Sequence, residues 1–250
     1  MALFGFIGKK RAKTIPLRNL GLQCDMHSHL IPNVDDGSDS LQKSIELING
    51  LKNAGYKKLI ITPHVMTGFF NNNSETITHG LQILKEELVR QNIDIEIDAA
   101  AEYYIDYDFM QDLSRKPMLT IGNNKMLLFE CSFVNRHRNF DETVFEMQVN
   151  GYTPVLAHPE RYAYWHGNIN HMRTLHDRGI LFQINILSLA KAYSRDVNHA
   201  AKELINNGLV DFIGTDLHNI EQLEIIENTQ ISENTFNKLM ELKLLNNNLL

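Results

Sequence analysis

Short apolar runs alternate with amphipathic stretches along most of the chain. Seven of the apolar runs predict buried strands: LQCDMH, KKLIITPH, IDIEIDAAAEY, KMLLFE, TPVLAHPE, ILFQIN and LVDFIGTDLH. Helical spacing predicts helices over residues 38–53, 75–90, 140–150, 169–178 and 196–207, a short one within 104–115, and one or two more before residue 250. This order of strand and helix predicts an α/β fold with a parallel sheet. The length favours one closed barrel of βα units over two domains.

The first twenty residues do not share this pattern. The apolar stretch MALFGFIG is followed by the basic stretch KKRAK and then by Pro16. We expect an N-terminal extension over residues 1–20 and a single domain over residues 21–250. The extension is either a frayed tail or a small arm that docks on a partner or a membrane surface. Its charge order is the reverse of a secretory signal, so no such signal is expected.

The composition excludes several classes of protein. The net charge is −6 with mixed signs along the chain, which argues against a dedicated nucleic-acid binder. No apolar run approaches the roughly 20 residues of a membrane span. Cys24 and Cys131 lie in strand-like runs, so buried reduced thiols and a cytoplasmic location are expected. No glycine-rich nucleotide-binding motif follows the first strand.

Residues that can bind metal end six of the seven predicted strands. His27 and His29 alternate in the motif DMHSHLIPNVDDG and would share one face of a strand. The other strand ends carry His64, Glu102, Glu130, His158, Asp216 and His218, and the DDG turn adds Asp36. Each has an ordinary structural explanation alone, but strand ends of a barrel converge on one mouth. Nine donors predict two or three divalent ions, with manganese, iron or zinc favoured over calcium or copper.

Arginines near these strand ends predict a phosphate site. Arg161 follows His158 in the sequence HPERY, and its planar guanidinium suits a phosphate dianion. Arg136 and Arg138, in the loop after Glu130, are further candidates for substrate binding or are ordinary surface residues. A metal cluster beside a phosphate-binding arginine can activate water and hold a phosphoryl oxygen.

Two other features bear on the reaction. Tyr103, Tyr104 and Phe133 flank the predicted mouth, where they either pack or stack on an aromatic substrate. Thiol phosphatases carry a cysteine separated from an arginine by five residues, whereas only four residues separate Cys131 from Arg136. A thiol phosphatase is therefore not expected, and no Ser-His-Asp arrangement stands out.

Six motifs resemble the polymerase and histidinol phosphatase (PHP) superfamily: DMHSHLIPNVDDGS, TPH, AEYY, the glutamate of LLFE, LAHPERY and GTDLH. They span residues 25–218 in the order of that superfamily. More narrowly, they resemble the bacterial PHP-type protein tyrosine phosphatases that are encoded with capsule or exopolysaccharide genes. Two departures stand out: residues 219–221 read Asn-Ile-Glu where relatives often carry an arginine, and the N-terminal extension is longer than in compact members.

The resemblance implies a distorted (β/α)7 barrel with a trinuclear site. The first ion would be held by His27, His29, Glu102 and Asp216, the second by Glu102, Glu130 and His158, and the third by Asp36, His64 and His218. Arg161 would bind phosphate, and Arg161, Asp216 and His218 are the expected catalytic residues.

The resemblance also implies an activity and a partner. Manganese is often the activating ion, and the expected reaction is hydrolysis of phosphotyrosine on a membrane-associated bacterial tyrosine autokinase that controls polysaccharide export. Two alternatives remain: a PHP phosphoesterase for a small phosphomonoester such as histidinol phosphate, and a non-catalytic partner-binding protein that kept the barrel. A third, a nucleic-acid processing domain, is disfavoured by the acidic balance of the chain.

Overall fold

The computed structural model describes residues 13–190 and 192–250. The strands are β1 (Thr14–Pro16), β2 (Cys24–Asp25), β3 (Lys58–Ile61), β4 (His64–Val65), β5 (Glu96–Ala99), β6 (Glu102–Tyr104), β7 (Met126–Glu130), β8 (Thr153–Ala157), β9 (Leu181–Asn185), β10 (Phe212–Gly214) and β11 (Gln230–Ser232). The helices are α1 (Leu41–Asn53), α2 (Ser74–Arg90), α3 (Tyr107–Leu113), α4 (Phe140–Val149), α5 (Ile169–Asp177), α6 (Ile186–Leu189), α7 (Arg195–Asn206), α8 (Ile220–Asn228) and α9 (Glu233–Glu241).

Two parallel sheets form the centre of the fold. The larger sheet has six strands in the order β10-β9-β8-β7-β6-β4, and the smaller has three in the order β2-β3-β5. Backbone hydrogen bonds join them, since Asp216 N–H donates to His27 at 2.8 Å and His29 N–H donates to Leu217 at 3.0 Å. The prediction of an α/β fold with a parallel sheet is confirmed, and the sheet is curled.

The second and third predicted strands are each divided in two. The segment predicted as one strand over KKLIITPH becomes β3 in the smaller sheet and β4 in the larger. Pro63 lies at the break and has no N–H to donate to a neighbouring strand. The third strand divides in the same way into β5 and β6, with Ala100 and Ala101 between them. Each break is followed directly by a predicted metal ligand, which is His64 in one strand and Glu102 in the other.

Side chains of the strands alternate between two apolar cores. Leu127 and Phe129 of β7 belong to the large core that also contains residues of the surrounding helices. Leu128, between them, joins Val155, Phe212 and other residues in a second, smaller core. Because side chains of a strand alternate between its faces, this second core fills the concave side of the curled sheet. Seven of the nine described helices begin at a side-chain cap; Ser40, for example, accepts a hydrogen bond from the N–H of Lys43.

Part of the predicted N-terminal extension is packed structure. Strand β1 pairs antiparallel with β11, and Leu17 is buried and donates its N–H to Thr229. Residues 14–20 therefore lie against the C-terminal elements and do not form a frayed tail, and the domain boundary at residue 20 stays a prediction. Residues 1–12, which contain most of the proposed docking arm, lie outside the described residues. Among the described helices, none has both the length and the apolar character that crossing a bilayer requires.

Candidate metal centre

The nine predicted metal ligands lie together at the ends of the parallel strands. They fall into four overlapping groups whose ligand atoms are within 4.8 Å of one another. The groups are His27, His29 and Asp216; His27, Glu102 and His158; His64, Glu102 and Glu130; and His29, Asp36, His64 and His218. An open cavity of about 360 Å³ lies above them and is lined by seven predicted site residues: Asp36, His64, Glu130, His158, Arg161, Asp216 and His218.

Glu102 is the central carboxylate of the cluster. Its Oε2 lies 3.2 Å from His27 Nε2, 3.1 Å from His64 Nδ1 and 3.5 Å from His29 Nε2. Its Oε1 lies 3.0 Å from His158 Nε2. The side chain is fully buried, yet Oε2 has no partner in hydrogen-bond geometry among the described residues. A buried anionic oxygen ringed by imidazole nitrogens without hydrogen bonds fits a shared ligand between cations, so the donor set fits a divalent metal cluster.

His64 lies between two of the groups. Its Nδ1 is 3.2 Å from Glu130 Oε1, and its Nε2 is 3.6 Å from Asp36 Oδ1. His218 approaches the same Asp36 oxygen with Nε2 at 3.5 Å. The resemblance assigned His64 to the third ion only, whereas this geometry places one ring nitrogen toward Glu102 and Glu130 and the other toward Asp36.

The backbone at two of the sites has left-handed conformations. His158 has φ +35° and Asp216 has φ +50°, and residues other than glycine adopt such values at a cost of about 1–3 kcal/mol. Gly37 of the DDG turn has a different role, since a Cβ there would lie 2.2 Å from the carbonyl oxygen of His29. The turn therefore closes directly onto a predicted ligand, and only glycine fits.

Charge is balanced inside this cluster. Burial opposes ionisation of Glu102 and Asp216, but the His27 imidazole and its neighbours hold the pKa of both carboxyls well below the usual range. Burial likewise opposes protonation of His27, but Glu102 and Asp216 outweigh it and raise its pKa to about 9. The hydrogen bond with His218 lowers the pKa of Asp36 to about 2. Divalent cations would replace these imidazolium protons, because metal ligation requires the neutral imidazole.

Further buried side chains orient the predicted ligands. Asp35 Oδ2 lies 2.8 Å from His29 Nδ1, and Gln183 Oε1 lies 2.8 Å from His27 Nδ1. With Nδ1 donating, both histidines present a free Nε2 to the centre of the cluster. The Gln183 amide also donates to Asn185, which donates to Asp216.

Sequence analysis assigned no role to Gln183 and Asn185, although a signal exists. They alternate in the otherwise apolar run ILFQIN, where two polar side chains on one face of a buried strand need partners. Asp35 stands in the DDG motif, but only Asp36 was assigned as a ligand. Asp25 was also missed; it is fully buried and accepts hydrogen bonds from the N–H and hydroxyl of Thr215.

The predicted phosphate-binding arginines differ in position. Arg161 lines the cavity, and its Nη1 donates to Asp216 Oδ2 at 3.1 Å. Arg136 is exposed and pairs with Asp141, while Arg138 is exposed, and neither is among the described residues that line the cavity.

The aromatic and cysteine candidates also separate. Tyr103 is buried, and its hydroxyl accepts a hydrogen bond from Leu119, so it packs rather than reaching the mouth. Tyr104 is half-buried, and Phe133 lines the cavity. Both cysteines are free and buried, as predicted, and burial raises the pKa of the Cys131 thiol, which does not suit a nucleophile.

Comparisons with known proteins identify the family of this chain. Residues 23–248 match the family described as capsular polysaccharide synthesis, CpsB/CapC. The chain is 28% identical to the tyrosine-protein phosphatase YwqE of Bacillus subtilis. The alignment has 197 residues and covers 79% of this chain and 78% of that protein. It is 27% identical over 202 residues to the tyrosine-protein phosphatase CpsB of Streptococcus agalactiae, covering 79% and 83% respectively.

Solved structures show the same relationship. The fold is similar to a solved structure from a study of YwqE of Bacillus subtilis and CpsB of Streptococcus pneumoniae, which are described as unique metal-dependent tyrosine phosphatases. The TM-score is 0.76 and the identity 26%, over 87% of this chain and 86% of the other. A histidinol phosphate phosphatase from Lactococcus lactis, with zinc, L-histidinol and phosphate, shares the fold alone at a TM-score of 0.54 and 14% identity over 90% and 95% of the two chains.

The matched region contains every predicted metal ligand and Arg161. The resemblance that the motifs indicated is therefore confirmed. The chain belongs to the CpsB/CapC family of capsular polysaccharide synthesis proteins.

Proposed function

We infer that this protein is a metal-dependent protein-tyrosine phosphatase. One observation carries the inference: four imidazole nitrogens surround the buried Glu102 carboxylate at 3.0–3.5 Å, directly below a cavity that Arg161 lines. Such a donor set suits divalent ions, and a guanidinium at the same mouth suits a phosphate. The similarity to named tyrosine phosphatases over four fifths of the chain supports the same activity.

The residues fit two or three divalent ions, of which manganese is our choice and iron or zinc the alternatives. His27, His29, Glu102 and Asp216 would hold the first, and Glu102, Glu130 and His158 the second. Asp36, His64 and His218 would hold the third. When bound, such ions act as Lewis acids on water and on phosphate oxygens.

The protein's own side chains bind and orient the substrate. Arg161 uses one N–H on Asp216, and its other donors are available for the phosphate dianion. Asp216 Oδ2 accepts from both Arg161 and Asn185, so it fixes the arginine at the rim. His218 donates from Nδ1 to the carbonyl of Asp216 and presents Nε2 toward Asp36. A phenolate leaves readily, so the demand on these residues for proton donation is light.

The finer features of the proposal follow from the same family. We assign the curled sheets to a distorted, closed (β/α)7 barrel of the PHP type, formed by one domain over residues 21–250. The substrate is a tyrosine-phosphorylated protein, and a membrane-associated bacterial tyrosine autokinase of capsule synthesis is the proposed partner. We place the enzyme in the cytoplasm, and its net charge of −6 does not favour nucleic acid.

The test compares hydrolysis of a tyrosine-phosphorylated peptide and of histidinol phosphate by one preparation, before and after removal of metal by a chelator. We expect turnover of the peptide, loss with the chelator, and recovery with Mn²⁺. His27→Ala and Asp216→Ala should abolish turnover while circular dichroism stays native, and the exposed His79→Ala is the matched control. Full activity in both site variants refutes the assignment, and preference for histidinol phosphate transfers it to the small-molecule alternative.

A further inference from the structure

Two phenylalanine rings stand on two of the candidate metal ligands. Phe70 stacks on His64, with 5.3 Å between ring centroids and 14° between planes. Phe133 lies against His158, with centroids 5.5 Å apart. Both phenylalanines line the cavity above the cluster, where Phe70 is half-buried and Phe133 is 39% exposed. Each ring therefore keeps one face or edge toward the open space of the cavity.

The two supporting histidines contact opposite oxygens of the same carboxylates. His64 Nδ1 approaches Glu102 Oε2 and Glu130 Oε1, whereas His158 Nε2 approaches Glu102 Oε1 and Glu130 Oε2. The distances are 3.1, 3.2, 3.0 and 3.9 Å in that order. The space between the phenylalanines thus lies over the carboxylates at the floor of the cavity.

Phe133 is packed against several neighbours in this position. The Arg161 guanidinium carbon lies 4.4 Å from its ring centroid and 4.8 Å from that of Tyr193, so the arginine is sandwiched between two rings. On another side Phe133 stacks on the fully buried Tyr162, with centroids 5.6 Å apart. A ring fixed by a cation, a tyrosine and a histidine is preorganised for contact with a ligand.

We propose that Phe70 and Phe133 form the walls of a subsite for the aromatic ring of an aryl phosphate. The proposal rests on the inferred phosphatase activity and adds how the site selects among phosphate esters. A phosphate held by Arg161 and the cluster brings the ring of phosphotyrosine between these walls. An alkyl phosphate such as phosphoserine has no ring to place there, so it loses both ring contact and apolar burial.

The arrangement also explains why the arginine and the ring are adjacent. Arg161 stacks on Phe133 with its flat face and keeps its edge N–H groups for a phosphate. One side chain therefore fixes the wall of the subsite and the anchor for the phosphate, which sets the distance between them. An aryl ester suits this arrangement because its ring is joined to phosphorus through a single oxygen and so stays close to the phosphate.

The experiment measures binding and does not depend on turnover. Calorimetry gives the dissociation constants of phenylphosphonate and methylphosphonate for the Mn²⁺-loaded wild type, Phe133→Leu, Phe70→Leu and Phe133→Tyr. We expect the wild type to prefer phenylphosphonate, each leucine variant to lose that preference by about tenfold, and Phe133→Tyr to keep it. Phe145→Leu, in which an exposed ring on α4 is removed, is the matched control.

Metal content of each variant separates a specificity role from a structural one. If a phenylalanine had only a structural role, its replacement by leucine would weaken the binding of both phosphonates equally or lower the metal content. Either result overturns the subsite. Equal binding of the two phosphonates by the wild type overturns it as well. The phosphatase assignment stands or falls separately, on hydrolysis of the phosphorylated peptide by the wild type.

Discussion

Asp35 offers a sharp test of how the protein orients its predicted metal ligands. Its carboxylate is buried, with Oδ2 lying 2.8 Å from His29 Nδ1 and 3.1 Å from the N–H of His64. Oδ1 accepts the N–H of Gly37 at 3.0 Å. Burial opposes its ionisation, but His29 outweighs this and lowers the pKa of Asp35. The change Asp35→Asn keeps the shape and removes the charge.

The size of the effect follows from these contacts. A hydrogen bond to a charged group contributes about 1.5–3 kcal/mol and a neutral one about 0.5–1.5 kcal/mol. The loss at His29 is therefore about 1–1.5 kcal/mol, which corresponds to about tenfold weaker metal binding. The asparagine side chain can take two orientations, and in each its NH2 group faces a backbone N–H, of Gly37 or of His64, that now donates to the Asp35 carboxylate. The metal-free variant should therefore unfold at a temperature a few degrees lower than the wild type.

The assay is competition for Mn²⁺ against a chelating dye, with thermal unfolding of the metal-free protein measured in parallel. Asp39→Asn is the matched control, because Asp39 is an exposed carboxylate in the same segment and pairs with Lys43. We expect tenfold weaker binding for Asp35→Asn and none of this loss for Asp39→Asn. Affinity within twofold of the wild type for Asp35→Asn would show that the carboxylate does not prepare His29 for metal.

Two further perturbations test the residues around the site. Gly37→Ala would place a Cβ 2.5 Å from His29 Cβ and against the His29 carbonyl, so we expect the unfolding free energy from urea titration to fall by at least about 3 kcal/mol. The control is Gly21→Ala, where φ is +68° but the space is open, and it should lower the unfolding free energy by only about 1 kcal/mol. Equal losses in the two variants would contradict the clash. His176 has its pKa raised by its hydrogen bond to Asp211, so its stabilisation is present below about pH 6.5 and fades as pH rises through the folded pKa. The melting-temperature gap between wild type and His176→Gln should be larger at pH 6 than at pH 8.5, and a constant gap would contradict this.

The ends of the strands could be predicted from the sequence, but the breaks within the second and third predicted strands could not. A polar residue that follows a buried apolar run is visible in one dimension, and parallel topology then brings such residues to one edge. His64 and Glu102 were located in this way. The division of their strands was not predicted, because it depends on which of two sheets each half pairs with, and Pro63 alone does not specify that choice.

The supporting residues were harder to predict than the ligands. Gln183 and Asn185 act by contacting His27 and Asp216, which are distant in the chain, so their role becomes visible only in three dimensions. Arg161 and Arg136 illustrate the same point. Both follow a strand that ends in a predicted ligand, but only the first turns back over the cavity, while the second pairs with Asp141 on the surface.

The sharing of donors among the four groups has a consequence for metal loading. His27, His29, His64 and Glu102 each belong to two groups, so an ion in one group draws on atoms that its neighbour also needs. Occupancies at neighbouring positions are therefore thermodynamically linked, and titration with Mn²⁺ should deviate from independent isotherms. A partly loaded sample would be a mixture of species, and its catalytic rate would not rise in proportion to its metal content.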